Sequence, residues 1–317
     1  MTRELLLLRH GKSDWSVGTD DFHRPLKDRG KRGAQRIGVW LAQQGMIPEQ
    51  IITSPAERAL VTAQKTCKAS GLVDTQIQRD KRVYETGVDE LLTVLADATA
   101  RRVMLVGHNP GLQELLVWLV GDAVAMPEDG KLLPTATLAQ LQMPADWRSL
   151  SPGCASLTSI IRPGTLPKKF PYPSPHGKEQ RDRPAYYYTQ SSVIPYRVRD
   201  GKLEIMVISS SKKHHLVVPK GIKTPGLSPQ DSAAEEALEE AGVEGEVGAL
   251  ALGSYDYEKW GATCTVTVYP MKVTHVIPQA KWQESHRGRQ WMSPEQAAKQ
   301  LKQKQLKPML NQLSTLL

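Results

Sequence analysis

Residues 5–8 are four consecutive leucines, and they run straight into Arg9-His10-Gly11. A short, unbroken apolar run reads as a strand buried on both faces, the kind found in a parallel sheet. An open α/β sheet builds its ligand site in the loops at the carboxyl ends of such strands. The sequence therefore delivers a guanidinium and an imidazole to the rim of a sheet. The glycine behind them lets the backbone turn. That pairing suits a phosphoryl group.

The pattern repeats along the first half. Ala34, Ile37, Trp40 and Leu41 recur at helical spacing, and Gly45 stops the run. Residues 50–54 read as a strand that Pro55 breaks, and a helix starts from Ala56, since proline fits a first helical turn. Arg58 lies early in that helix, where free backbone N–H groups attract anions. Residues 90–96 read as a helix, and residues 102–106 (RVMLV) as a buried strand that ends in Gly107-His108-Asn109-Pro110-Gly111. Residues 112–120 read as another helix, and residues 156–161 as a last edge strand. Strand–helix alternation of this kind predicts a mostly parallel sheet. If the strands before Arg9-His10, Arg58 and His108 are neighbours, all four side chains meet at one rim. Two guanidiniums and two imidazoles can surround a tetrahedral dianion, and one imidazole can act as a nucleophile.

The chain has 317 residues, which predicts two domains. Seven prolines punctuate residues 150–184 (Pro152, Pro163, Pro167, Pro171, Pro173, Pro175 and Pro184), with a charged run at residues 178–183. The expected organisation is a domain over residues 1–172, a Pro-rich exposed spacer over residues 173–183 and a second domain over residues 184–317. A net charge of +8 favours anionic partners, but the basic residues are spread out, with no arginine-rich arm of the kind that marks nucleic-acid binders. There is no apolar run long enough for a membrane span, and the leucine run is too short for a signal peptide. Three scattered cysteines without a C-x-x-C pair point to reduced thiols and a cytoplasmic setting.

The second half reads differently. Residues 186–198 and 202–209 are β-rich and flank Asp200-Gly201, a hairpin signal. Residues 216–218 are a short strand that stops at Pro219, and Lys220-Gly221 opens a loop. Ser228 or Asp231 can cap a helix over residues 230–241 that Gly242 closes. Glu236, Glu239 and Glu240 share one face of that helix at spacings of three and four. Stacked like charges disfavour a helix unless a cation neutralises them, and carboxylate oxygens suit Mg²⁺ or Mn²⁺. Residues 249–256, 264–273 and 289–292 read as further strands. Tyr255, Tyr257 and Trp260 are candidates to stack on a base, although core positions suit them as well. A C-terminal helix opens at Ser293-Pro294-Glu295, with Leu301, Leu306, Met309, Leu310 and Leu313 as its apolar face. Lys213, His214, Lys220 and Lys223 are expected around the pocket mouth.

Three motifs of the first half together resemble the histidine phosphatase family: R-H-G, S-P-x-x-R-A-x-x-T-A at residues 54–63 and V-G-H-N-P-G at residues 106–111. Lys12-Ser13, Trp15 and a D-x-x-R-P-L element at residues 21–26 look like the short SixA-type phosphohistidine phosphatases, and the resemblance covers residues 1–170. It implies that His10 is the phosphate-accepting nucleophile, that Arg9, Arg58 and His108 bind the phosphoryl oxygens, and that this half uses no metal. Val83-Tyr84-Glu85 is the nearest match to the general-acid element of the larger members, so Glu85 is the candidate acid. In the second half P-K-G followed by E-E-A-L-E-E-A-G-V resembles the Nudix box, with Leu227 in place of its first glutamate and Glu235 in place of its arginine. That resemblance implies metal binding by Glu236, Glu239 and Glu240, a catalytic part for Glu239, and substrate binding by Lys220 and Gly221.

The fold class implied is a three-layer α/β sheet followed by an α/β/α Nudix-like sandwich. The function implied is a bifunctional phosphohydrolase. Its second half cleaves a diphosphate linkage, of nucleoside or inositol polyphosphate type, with Mg²⁺ or Mn²⁺, the substrate being a nucleotide or polyphosphorylated metabolite. Its first half removes a phosphoryl group, from a small molecule or a phosphohistidine protein, through phospho-His10. The alternative is a nucleotide-binding sensor with a degenerate box, and RNA chemistry is a weaker third reading.

Overall fold

The computed structural model describes residues 2–73, 76–121, 124–212 and 214–316. Two compact units divide the chain, Met1–Pro184 and Ala185–Leu317.

In the first unit the elements run β1 (Arg3–Arg9), α1 (Asp28–Gln43), β2 (Gln50–Thr53), α2 (Glu57–Ser70), β3 (Ile77–Arg79), α3 (Val88–Ala96), β4 (Arg102–Gly107), α4 (Gly111–Val120), β5 (Leu138–Met143) and β6 (Ser156–Ile161). They build a six-stranded sheet of order β3-β2-β4-β1-β5-β6. The first four strands in that order are parallel, and β5 and β6 return antiparallel. The leucine run lies inside it with no exposed surface. Leu5 and Leu7 belong to the core under α3 and α4, while Leu6 and Leu8 belong to the core under α1 and α2. Both faces are therefore covered, which makes three layers. The strands before His10, Arg58 and His108 are neighbours, with β4 between β2 and β1. Strands β3 and β5 were not anticipated.

Two glycines bring the His10 loop down onto α1. A Cβ on Gly11 would lie 2.7 Å from the Gly30 carbonyl oxygen, and one on Gly30 would lie 2.4 Å from the Lys12 carbonyl oxygen. Thr62 Oγ1 of α2 accepts from the Gly11 N–H at 2.9 Å.

Residues 173–183 depart from the open spacer expected of them. β7 (Phe170–Tyr172) and β8 (Glu179–Arg181) pair antiparallel across that segment. Phe170 is buried, and the Gln43 side-chain amide of α1 donates to the Pro175 carbonyl at 3.0 Å. Prolines restrict the chain, but a return turn and an apolar anchor hold this stretch against the first unit.

The second unit runs β9 (Thr189–Arg199), β10 (Lys202–Ser209), β11 (Leu216–Val217), β12 (Lys220–Ile222), α5 (Pro229–Ala241), β13 (Val243–Val247), β14 (Gly253–Lys259), β15 (Ala262–Val276), β16 (Arg289–Met292), α6 (Pro294–Gln300) and α7 (Lys307–Leu316). Its sheet is centred on β9 and β15, which pair in parallel. Ala233, Ala237 and Ala241 of α5 pack on one face, and Ala297, Leu310 and Leu313 of α6 and α7 on the other, giving the sandwich. Ser228 caps α5 by accepting from the Asp231 N–H, and Gly242 closes it in the left-handed region. The single C-terminal helix expected is in fact two. Leu301 leaves α6 in an extended conformation and bridges to Leu216, so the sheet edge captures the residue that periodicity assigned to a helix face. Lys220-Gly221, expected as a loop, is strand β12 on β9. Among the described residues no helix is long and apolar enough to cross a membrane.

Replacing Gly30 with Ala should push the His10 loop off α1. The unfolding transition of the first unit in urea should fall by about 1–3 kcal/mol. Unchanged unfolding would show that the two backbones are not in contact.

Candidate functional sites

The first site is a cavity of about 630 Å³ at the carboxyl edge of β1, β2 and β4, lined by Arg9, His10, Arg58 and His108 among others. Parallel pairing places them. The N–H of His10, one residue past β1, donates to Gly107 O at the end of β4 at 3.0 Å, and the N–H of Ser54, one residue past β2, donates to Val106 O at 3.0 Å. The His10 and His108 rings lie 5.1 Å apart, and both residues are buried.

His10 Nδ1 sits 2.7 Å from its neighbour's carbonyl, Gly11 O. A carbonyl only accepts, so Nδ1 carries the proton and Nε2 keeps its lone pair. Burial lowers the His10 pKa to about 4, helped by the charges of Arg58, Arg9 and Arg24 and opposed by the Gly11 bond. Burial lowers His108 to about 3, with His10 and Arg58 as further causes. Both rings are therefore neutral at physiological pH. His108 Nε2 lies 2.8 Å from Ser54 Oγ.

The cavity also holds residues that carried no assigned role. Asp21 accepts from Arg58 Nη2 at 2.8 Å, from Tyr84 OH at 3.0 Å and, through its other oxygen, from Arg24 Nη2 at 2.8 Å. Burial raises its pKa, but the Tyr84 bond and the charges of Arg58 and Arg24 outweigh that and hold it below the usual carboxylate value. The D-x-x-R spacing was the only sequence signal for this pair. Arg9 Nη1 donates to Leu133 O at 2.8 Å. Several buried donors in this cavity have no hydrogen-bond partner among the described residues: Arg9 Nε, Arg58 Nε, His108 Nδ1, and Nε and Nη1 of Arg24. Three guanidiniums and two imidazoles around one cavity suit an anion. Glu85 lines it too, exposed and in the left-handed region at φ 48°.

The second site surrounds β12 and α5. A Cβ on Gly221 would lie 1.8 Å from Glu236 Oε1, so only glycine lets the strand approach that carboxylate. Burial raises Glu236 to about 7, and Glu240 and Glu239 add to the shift. A carboxylate resisting ionisation beside other carboxylates is one that a divalent cation would stabilise. The glycine cradle and the paired acids Glu236 and Glu240 thus fit a hard cation. Of the expected trio, Glu236 and Glu240 are half-buried and Glu239 is exposed. Glu240 accepts from the Lys220 N–H at 3.0 Å and from Arg287 Nη2 at 2.6 Å. Among the described residues no three acids, histidines or cysteines stand as a metal-holding group.

Lys220 Nζ donates to Gln190 Oε1 at 2.9 Å and to Tyr257 OH at 3.0 Å, and burial lowers its pKa. Lys220, Glu240, Tyr257, Lys259, Arg287 and Lys302 share a cavity of about 680 Å³. His214 and Lys223 do not line it, and Lys213 lies outside the described residues. Tyr255 is core, and Trp260 packs against Tyr187. Arg287, remote in sequence from the box, was not foreseen.

Comparison with known proteins follows the same division. The sequence model of the histidine phosphatase superfamily (branch 1) matches residues 5–101, and that of the NUDIX domain matches residues 189–313. The mitochondrial Nudix hydrolase 12 of Arabidopsis thaliana is 30% identical over 142 residues, covering 37% of this chain and 69% of that one. A 2,3-bisphosphoglycerate-dependent phosphoglycerate mutase of Nocardia farcinica is 36% identical over 96 residues, covering 29% of this chain and 38% of that one. A solved structure described as a SixA phosphohistidine phosphatase of Agrobacterium tumefaciens is 28% identical and covers 52% of this chain and 100% of that one, with a TM-score of 0.44. The chain thus spans about two thirds of the plant relative and well under half of the mutase.

The two imidazoles should titrate far below the ordinary value of 6.5, near 4 for His10 and near 3 for His108. Between pH 6.5 and 4 the unfolded chain then binds more protons than the folded one, so stability falls as pH drops through that window. Ring NMR shifts assigned with His10→Gln and His108→Gln would read both values. A His10 titration at the ordinary value would mean that the ring is not shielded.

Proposed function

We propose, for a chain that belongs to the Nudix hydrolase family and carries a histidine phosphatase domain ahead of it, that it is a bifunctional phosphohydrolase. The first unit removes a phosphoryl group through a phosphohistidine. The second cleaves a diphosphate linkage of a nucleotide or polyphosphorylated metabolite.

The observation that carries the first half is a neutral imidazole with a free Nε2 lone pair among buried donors that lack acceptors. His10 Nε2 attacks phosphorus, and the bond from phosphorus to the leaving atom breaks. Arg9, Arg58 and His108 line the cavity and are the donors to the phosphoryl oxygens. Ser54 Oγ lies 2.8 Å from His108 Nε2, and its hydroxyl donating there would keep the ring proton on Nδ1, where the oxyanion needs it. Gly11 O holds the His10 ring and stabilises the proton on Nδ1 as charge develops. Glu85 lines the same cavity and is the proton donor to the leaving group. Water then attacks phospho-His10, releasing phosphate and restoring the imidazole. The substrate is a phosphorylated small molecule or a phosphohistidine protein.

In the second half Glu236 and Glu240 would hold Mg²⁺ or Mn²⁺, which when bound neutralises the anhydride and activates water. Lys220 and Arg287 present positive charge to the cavity and bind phosphoryl oxygens. Gly221 keeps strand β12 close to Glu236. Glu239, exposed on the same helix, would face the cation and its water.

Replacing His10 with Ala should remove phosphatase activity, by about 10³-fold or more, and acid-labile labelling of the protein by a phosphoryl donor. Chelation of divalent cations, or Glu236→Gln, should stop diphosphate cleavage and leave the His10 reaction intact. Phosphatase turnover surviving in the His10 variant, or diphosphate cleavage surviving chelation, would refute the corresponding half.

A further inference from the structure

Lys220, Gln190 and Tyr257 meet on one face of the second unit's sheet, and the strand registers put them there. Gly221 turns toward Glu236 of α5, so the Lys220 side chain leaves β12 from the opposite face. Lys220 lies opposite Ser192 of β9, two residues from Gln190, which makes Gln190 a diagonal neighbour on that same face. Gln190 lies opposite Val266 of β15, and Tyr257 of β14 lies opposite Cys264, two residues from Val266. Three strands thus bring an ammonium, an amide and a phenol together.

The three close a triangle. Lys220 Nζ is 2.9 Å from Gln190 Oε1 and 3.0 Å from Tyr257 OH, and that hydroxyl is 2.8 Å from Gln190 Oε1. The chemistry of the groups fixes every proton. An ammonium only donates, so the amide must face it with oxygen. The phenol then gives its single proton to that oxygen and meets the ammonium with a lone pair. Gln190 is buried, and its Nε2 donates back to the Tyr187 carbonyl at 3.5 Å. Two of the three Lys220 N–H bonds are therefore committed. The third has no acceptor among the described residues. Lys220 and Tyr257 both line the second cavity, beside Glu240 and Arg287. A lysine on its flexible stem ordinarily extends into water. Here a buried glutamine spends its only side-chain oxygen on the lysine and on the tyrosine that also holds it.

We propose that Tyr257 and Gln190 are positioning residues of the diphosphate-cleaving site, holding the Lys220 ammonium so that its third N–H meets a phosphoryl oxygen of the substrate. Neither needs to touch the substrate itself. This rests on the reading of Lys220 as a phosphoryl-binding residue given above and deepens it. A side chain ordered before binding loses less freedom on binding, so the loss of its supports appears in KM.

Turnover of diadenosine tetraphosphate with Mg²⁺ tests it in the full chain. Binding is read separately, by calorimetry of ADP in chelator on the His10→Ala background, where neither unit turns over. ADP taken by the first cavity is common to all variants and cancels in the comparison. Tyr257→Phe keeps the ring and removes the acceptor. It should raise KM and the ADP Kd by about 5- to 30-fold and change kcat by less than about threefold. Gln190→Met keeps the length, removes the oxygen that takes two bonds, and should do at least as much. In the Lys220→Met background Tyr257→Phe should have no further effect, because a residue that acts through the lysine then has nothing to hold. If Gln190→Met does not fold, Tyr257→Phe and the double variant decide the point. Unchanged KM and Kd in Tyr257→Phe, a loss in kcat alone, or an equal loss with and without Lys220 would overturn the proposal. No effect of Lys220→Met would overturn both the proposal and the reading it rests on. Absent turnover in the wild type, with ADP binding weakened by Tyr257→Phe only while Lys220 is present, would instead sink the diphosphatase reading and leave the positioning role standing.

Discussion

The parallel pairing of β1 with β4 is the constraint on which the first unit depends. The register sets Arg9 opposite Gly107, and the ladder extends one bond further, from the His10 N–H to the Gly107 carbonyl. That last bond fixes where both chains leave the sheet. It places His10 and His108 side by side without either ring belonging to a regular element. A slip of one residue would turn every leucine of β1 to the opposite face and carry the reactive pair with it. The alternation of Leu5 and Leu7 into one core and Leu6 and Leu8 into the other makes that slip costly on both sides of the sheet.

Concentrating three guanidiniums in one buried cavity creates a problem of its own. Arg9, Arg24 and Arg58 all act to lower the His10 pKa. Burial does most to keep the nucleophile unprotonated, and the same field that attracts an anion adds to it. Asp21 limits the repulsion between Arg24 and Arg58 and ties Tyr84 to the pair. An ionised carboxylate also competes with an incoming phosphoryl group for the same cations. Arg58 meets the Asp21 carboxylate through Nη2 and the Asp21 carbonyl through Nη1, so Asp21 holds that guanidinium at the cavity.

Much of this was legible in the residues. An unbroken apolar run, a proline at a helix start and glycines after strands each carry a local physical meaning, and the first sheet followed from them. The convergence of Arg9, His10, Arg58 and His108 followed because strand ends in a parallel sheet share an edge. Other features had no local signature. Strand β13 (VEGEV) is half charged and interrupted by glycine, and pairing with β15 alone makes it a strand. Leu301 fits a helical period, and only its bridge to Leu216 takes it out of the helix. The role of Asp21 depends on two arginines and a tyrosine that meet it in space. Arg287 reaches Glu240 across 47 residues of sequence, a contact that no spacing rule encodes.

The second site shows why a motif and a site are different things. Three glutamates at spacings of three and four share a helix face, yet the environment treats them differently. Glu236 is pressed against the backbone of Gly221, Glu240 is paired with Arg287 and the Lys220 N–H, and Glu239 is left to solvent. Burial and the charges of Glu240 and Glu239 raise the Glu236 pKa against a smaller opposing effect of Lys220, whereas Glu240 has its burial partly offset by the Lys220 N–H and Arg287. Replacing the arginine of the box by Glu235 removed a local cation, and Arg287 supplies one from another part of the chain. The positive charge that a cluster of buried acids requires can come from any element packed against it. A departure from the motif is therefore weak evidence about the charge balance of the site. That balance is set by the neighbours of Glu240 in space, among them Lys220 on β12, Arg287 on the turn before β16 and Glu284, which shares that arginine.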